Sequence, residues 1–177
     1  MNWEIILSEL NANTDTQIST ELLTLIKQTD RIFLTGAGRS GLALKAFTMR
    51  LSQLGKVVFF VGETTTPAIG ESDLLIIASS SGETSQLIKY ADIAKDAGAK
   101  IWLWSTNDTN PLANKADYVT LLAGKSKFTS AEAVTIQPMG SLFEQSVWLF
   151  GDLFTLNYMH EYDIAEDNLK ERHANLE

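Results

Sequence analysis

The chain has 177 residues, 45 % of them hydrophobic, and a formal charge of −8. That length suits one domain with a full core, and the acidic balance without a basic patch excludes nucleic acid as the main partner. The absence of cysteine rules out disulfides, thiolate metal sites and cysteine nucleophiles, and it fits a reducing compartment. The first ten residues, MNWEIILSEL, carry acids and no basic leader, and no apolar run approaches the roughly 20 residues that cross a bilayer. A soluble, cytoplasmic protein is expected. Trp3, Ile6, Leu7 and Leu10 recur at helical spacing. Ser19 is placed to cap a second short helix carrying Leu22, Leu23, Leu25 and Ile26.

Residues 31–35, RIFLT, read as the first strand and run into Gly36-Ala37-Gly38-Arg39-Ser40-Gly41. A helix is expected from Gly41 to Leu54, stopped by Gly55 and apolar nearly all round. Such a helix predicts cover by a sheet on one side and by another subunit on the other. Further strands are expected at 57–61, 74–78, 101–104 and 118–123. Leu87, Ala91 and Ala94 mark a helix after the third, ended by Gly98, and a short helix is expected from Pro111.

Residues 124–140, with Lys125 and Lys127, break this rhythm and end in a Pro-Met-Gly turn. Loops of such length are often functional. A long helix is predicted over 141–162, and Asp163 with Glu166 predicts a capped final helix. Strands alternating with helices predict a three-layer α/β/α sandwich around a five-stranded parallel sheet. The expected organisation is a single domain over 1–177: N-terminal helices to 30, a parallel βα core over 31–123, then loop, long helix and tail.

Two loops carry the chemistry. Ser79-Ser80-Ser81-Gly82-Glu83-Thr84 lies between a buried strand and a helix, where unpaired N–H groups and hydroxyls make an anion site. Capping of the helix by Ser81 or Thr84 is the simpler use of the same residues. Residues 36–41 match G-x-G-x-x-G after a strand, which raises NAD. Arg39 in the turn and an acid displaced to Glu63 count against it, as does the second loop, which dinucleotide binding does not explain. With the flavodoxin-like strand order 2-1-3-4-5, the two loops become the walls of one crevice. Gly38, Arg39 and Ser40 would then face Ser79, Ser80, Ser81, Gly82, Glu83 and Thr84 across it.

The segments GAGRSGLALKAFTMRLSQLG, VGETTTP, SSSGET, TIQPMGSLFEQ and RHANLE stand in this order essentially end to end. In this they resemble the sugar isomerase (SIS) domain family, in particular its branch that interconverts a 3-hexulose 6-phosphate and fructose 6-phosphate. The resemblance implies that the Ser/Thr-rich loop holds the sugar phosphate and that Glu144 is the base acting through a 2,3-enediol. It implies, less directly, that His173 shuttles a proton, in its own or in a neighbouring subunit. The family's loop usually has glycine where Ser80 stands, so a left-handed backbone there would be strained.

Without the resemblance, Glu144 reads as a first-turn glutamate stabilising its helix. Glu83 is the rival base, but phosphate would repel it. Arg39, Arg50, Lys125 and Lys127 are candidate cations, and Arg50, in an apolar helix, calls for an anionic partner. His160 reads as a surface residue. No cluster with metal-ligand spacing occurs in the sequence, so neither metal nor other cofactor is expected. The excess apolar surface of the two long helices predicts a homo-oligomer, a tetramer built from dimers. Two alternatives stay open: an SIS isomerase for another phosphorylated sugar, and a non-catalytic sugar-phosphate sensor with no need of Glu144.

Overall fold

A strand covered on both faces of a parallel sheet must be apolar throughout, and Leu74–Ala78 meets that condition with all five residues buried. The computed structural model describes residues 2–125 and 135–176. In chain order its helices and strands are α1 (Trp3–Leu10), α2 (Thr20–Gln28), β1 (Arg31–Gly36), α3 (Gly38–Gln53), β2 (Val57–Phe60) and β3 (Leu74–Ala78). These are followed by α4 (Ser85–Asp96), β4 (Lys100–Ser105), β5 (Tyr118–Leu121), α5 (Ser141–Glu161) and α6 (Glu166–Glu171). The strands form one parallel sheet in the order β2-β1-β3-β4-β5, as the sequence predicts.

Alternate residues of the central strands feed two cores. Ile32, Leu34, Leu74, Ile76, Trp102 and Trp104 pack against α2, α3 and α5, whereas Phe33, Leu75, Ile77, Ile101 and Leu103 pack against α4. The first core is aromatic: Trp104 lies edge-on to Phe150 with ring centroids 4.8 Å apart, and Phe47 sits 5.1 Å from Trp104. Ser19 caps α2 as expected, its Oγ accepting from the Leu22 N–H at 3.3 Å. Among the described residues, no helix is long and apolar enough to cross a membrane.

Three local expectations are corrected. The helix after β1 starts at Gly38, not Gly41, because Gly41 serves a packing purpose inside the first turn. A Cβ there would lie far inside contact distance of the Gly36 carbonyl oxygen. Pro111 opens no α-helix. The Asn110 side chain accepts from the Ala113 N–H at 2.8 Å, and only a 3-10 turn, Ala113–Lys115, follows. Asp163 does not cap the last helix: it takes a left-handed φ of 52° beyond α5, and the N-cap is Ala165, whose N–H donates to Asn168 Oδ1.

Gly41→Ala should therefore destabilise the fold by about 1–3 kcal/mol, because backbone rather than a movable side chain meets the added methyl. Urea denaturation read by tryptophan fluorescence checks this, and an unchanged midpoint would refute it.

Candidate active site

Parallel pairing of β1 with β3 puts Gly36 beside Ala78, so the chain leaves the sheet twice at neighbouring points. From these exits the chain enters α3 at Gly38 and, after the loop 79–84, α4 at Ser85 on the other face of the sheet. Neither is closed by a side chain from its N-cap residue, Ala37 or Thr84. The first-turn N–H groups and positive ends of two helices thus border one cleft of about 290 Å³. Gly38, Arg39 and Ser40 line one side, and Ser79, Ser80, Ser81 and Thr84 line the other. Lys125, Met139, Gly140 and Glu144 close it from the later part of the chain.

The hydroxyls differ in what the fold asks of them. Ser79 Oγ accepts from the Gly82 N–H at 3.2 Å, and Ser81 Oγ accepts from the Glu83 N–H at 3.3 Å. An oxygen used only as acceptor keeps its proton to donate. Ser80 is committed: its Oγ donates to the Lys125 carbonyl at 3.0 Å, while its own carbonyl accepts from Thr106 Oγ at 2.7 Å. Its backbone is not left-handed, so the strain expected from a serine in this place does not arise. The left-handed residue is Gly82 (φ 67°), pressed against the Asn110 side chain.

Glu144 lies in the first turn of α5, flanked by the buried Leu142, Phe143 and Val147, which hold it from the core. Its Oε2 accepts from Arg39 Nε in an ion pair whose side chains are 13 % and 72 % exposed respectively. The pair stands between the cleft and a second hollow bordered by Leu42, Ala43, Gln145 and Trp148.

The fold does not bring every expected residue to the cleft. Gly82 and Glu83 belong to the loop but do not line it, and the Glu83 side chain is exposed. Arg50 is far along α3, half exposed, hydrogen-bonded to Gln53 at 2.9 Å and facing Asp152 at 3.7 Å. Its anionic partner exists, but away from the cleft. His173 follows Arg172, whose guanidinium donates to the Gln53 carbonyl at 3.5 Å at the far end of α3. A helix of 16 residues puts that end about 24 Å from Gly38. Lys127 lies outside the described residues. Met139 and Gly140 line the cleft as the end of the loop whose length predicts a functional role, though neither residue has a chemistry that singles it out.

Residues 25–148 match the SIS domain model. The chain belongs to the SIS domain family. A Mycobacterium gastri protein named 3-hexulose-6-phosphate isomerase is 40 % identical over 94 % of this chain and 83 % of its own length. A Bacillus subtilis protein of the same name is 41 % identical over 97 % of this chain and 95 % of its own. A solved Methanococcus jannaschii structure, from which a 3-hexulose-6-phosphate isomerase function was inferred, is 30 % identical. It superposes with a TM-score of 0.82 over 99 % of this chain and 98 % of that one.

Thr84 is a cleft hydroxyl whose loss costs the fold little, since it does not cap α4. Thr84→Val should weaken binding of fructose 6-phosphate about tenfold while leaving the melting temperature within about 2 °C. Calorimetric titration beside a thermal melt checks this; equal affinity would remove Thr84 from the anion site.

Proposed function

We propose that the chain is an isomerase interconverting D-arabino-hex-3-ulose 6-phosphate and D-fructose 6-phosphate, with no metal or other cofactor. The observation that carries this is the polarity of the cleft: two helix N-termini and a row of hydroxyls border it, and the core-held carboxylate of Glu144, paired with Arg39, closes it from the later part of the chain. An anionic phosphoryl group suits the first and is repelled by the second, which fixes which end of the sugar meets Glu144. The curated relatives of that name support the same substrate pair.

On this reading Glu144 removes the proton from C2 of the 3-ketose, and the C–H electron pair forms the C2–C3 double bond of an enediolate. Negative charge collects on O3, where Arg39, already beside the carboxylate, stabilises it. Transfer of the O2 proton to O3 and return of the carbon proton to C3 complete the ketone at C2. His173 is the proposed carrier between the oxygens. Since its own α6 packs at the far end of α3, a neighbouring copy supplies it.

An oligomer is proposed on independent grounds as well. Leu42 and Met49 of α3, with Trp148, Leu149, Leu153 and Leu156 of α5, are exposed large apolar residues on two helices packed together. That surface suits a second copy, and a dimer of dimers is the proposed assembly. Phosphorylated sugars do not leave through membranes, so the cytoplasm is the proposed location. Arg50, Gly82 and Glu83 are given supporting places in this scheme, away from the substrate.

Glu144→Gln should lower kcat by about 10²–10⁴-fold while fructose 6-phosphate binding stays within a few fold, and undiminished turnover would refute the assignment. In D2O with EDTA, the wild-type protein should place deuterium at C3 of fructose 6-phosphate. Uptake at C1 would instead mark a 1,2-enediol and an aldose product. Light scattering should give a mass of several chains, reduced by Leu156→Lys; a single-chain mass for the wild type would sink the shared site.

A further inference from the structure

The segment TIQPMG, 135–140, reaches the cleft only through its last two residues, Met139 and Gly140. Its first three residues engage a single carboxylate on α1. Thr135 Oγ donates to Glu9 Oε2 at 2.6 Å, the Ile136 N–H to Oε1 at 2.7 Å, and Gln137 Nε2 to Oε2 at 2.7 Å. Thr135 Oγ also accepts from the Gln137 N–H at 3.0 Å, which closes the cluster on itself. A carboxylate only accepts, so it fixes the Gln137 amide with nitrogen toward Glu9 and oxygen away. That oxygen accepts from Gln145 Nε2 at 2.8 Å, one residue beyond Glu144. On the other flank Lys125, which lines the cleft, donates from Nζ to the Thr135 carbonyl at 3.2 Å.

α1 itself has little hydrophobic grip, since none of its residues is fully buried and Trp3 and Leu7 are exposed. Desolvation pushes the Glu9 carboxyl up, but the bonds from Thr135, Gln137 and Ile136 and the charge of Lys125 more than offset it. The balance holds it below the ordinary carboxylate range, so the cluster is charged and complete at neutral pH.

We infer that Glu9 is a positioning residue for the cleft, acting through Thr135, Ile136 and Gln137 to set Lys125 and the rim formed by Met139 and Gly140. It touches no substrate. The inference rests on the reading of the cleft as a sugar-phosphate site. Glu144 is held by the core through Phe143 and Val147 rather than by this cluster, so loss of Glu9 acts on binding more than on the chemical step.

The test is Glu9→Ala beside Glu9→Gln, which keeps the volume but turns one acceptor into a donor facing donors. Hydrogen exchange of the 136 and 137 amides, steady-state kinetics on fructose 6-phosphate and a thermal melt are read together. Both variants should speed exchange at these amides and raise KM about tenfold, with kcat within about twofold. Adding Thr135→Val to Glu9→Ala should change little further, since the two share one cluster. Thr135→Val alone gives the same pattern at smaller amplitude and serves where Glu9→Ala does not fold. Unchanged exchange and KM would overturn the inference. So would kcat, KM and melting temperature worsening together, which marks general loss of structure. A wild-type chain that neither binds nor converts fructose 6-phosphate fails the substrate reading instead, and the exchange experiment, needing no substrate, separates the two failures.

Discussion

Gly36 and Gly41 touch, and much of the architecture follows from that contact. Only with no side chain at either position does α3 start hard against the end of β1. Because β3 is the direct neighbour of β1, its own exit at Ala78 lies beside Gly36, and the loop 79–84 leads from there to α4 at Ser85. The sheet's two cores make this placement firm: β3 is buried throughout, so it cannot move to an edge without exposing Leu or Ile side chains. Two helix N-termini are thereby held at one cleft, each leaving amide donors that a ligand or water must satisfy.

The opposite wall is built by different means. Glu144 is fixed by its own helix, whose Phe143, Val147, Phe150 and Phe154 enter the aromatic core beside Trp102 and Trp104. Lys125 bridges the two walls: Ser80 ties the β3 loop to its backbone, and its side chain in turn holds Thr135. The serine that departs from the family's usual glycine is therefore a strut, with its hydroxyl and its carbonyl both engaged. Of the hydroxyls on the β3 loop, Ser79 and Ser81 act as acceptors within the fold and Thr84 does not cap α4, so these three are left able to donate.

Much of this was legible in the sequence. The apolar runs at 31–35 and 74–78 mark the strands, the two glycine- and serine-rich loops mark the switch point, and the type and place of Ser19 mark it as a cap. The segments that resemble the SIS family pointed to Glu144. What was not legible depends on side chains meeting across the fold. Arg50 looked suspicious because its helix is apolar nearly all round, and no spacing rule tells which face of such a helix a charge occupies; Asp152 answers it from α5. Asp163 and Pro111 have the residue types of helix starts, but a left-handed backbone and the Asn110 side chain decide otherwise. Glu9 lies 126 residues from Thr135, and nothing local to a surface helix marks it as a partner of the cleft.

For a ligand it matters that most of the cleft's donors are neutral amides and hydroxyls, with Lys125 and the Glu144-paired Arg39 as its cations. Lysine or arginine would hold a phosphoryl group as a flexible point charge tolerant of displacement, whereas amides and hydroxyls fixed to a sheet accept it in one place. The carboxylate across the cleft is equally immobile. On the proposed reading the molecule is a ruler with both ends fixed, and a sugar is selected by how many carbons separate its phosphate from the atom that gives up a proton.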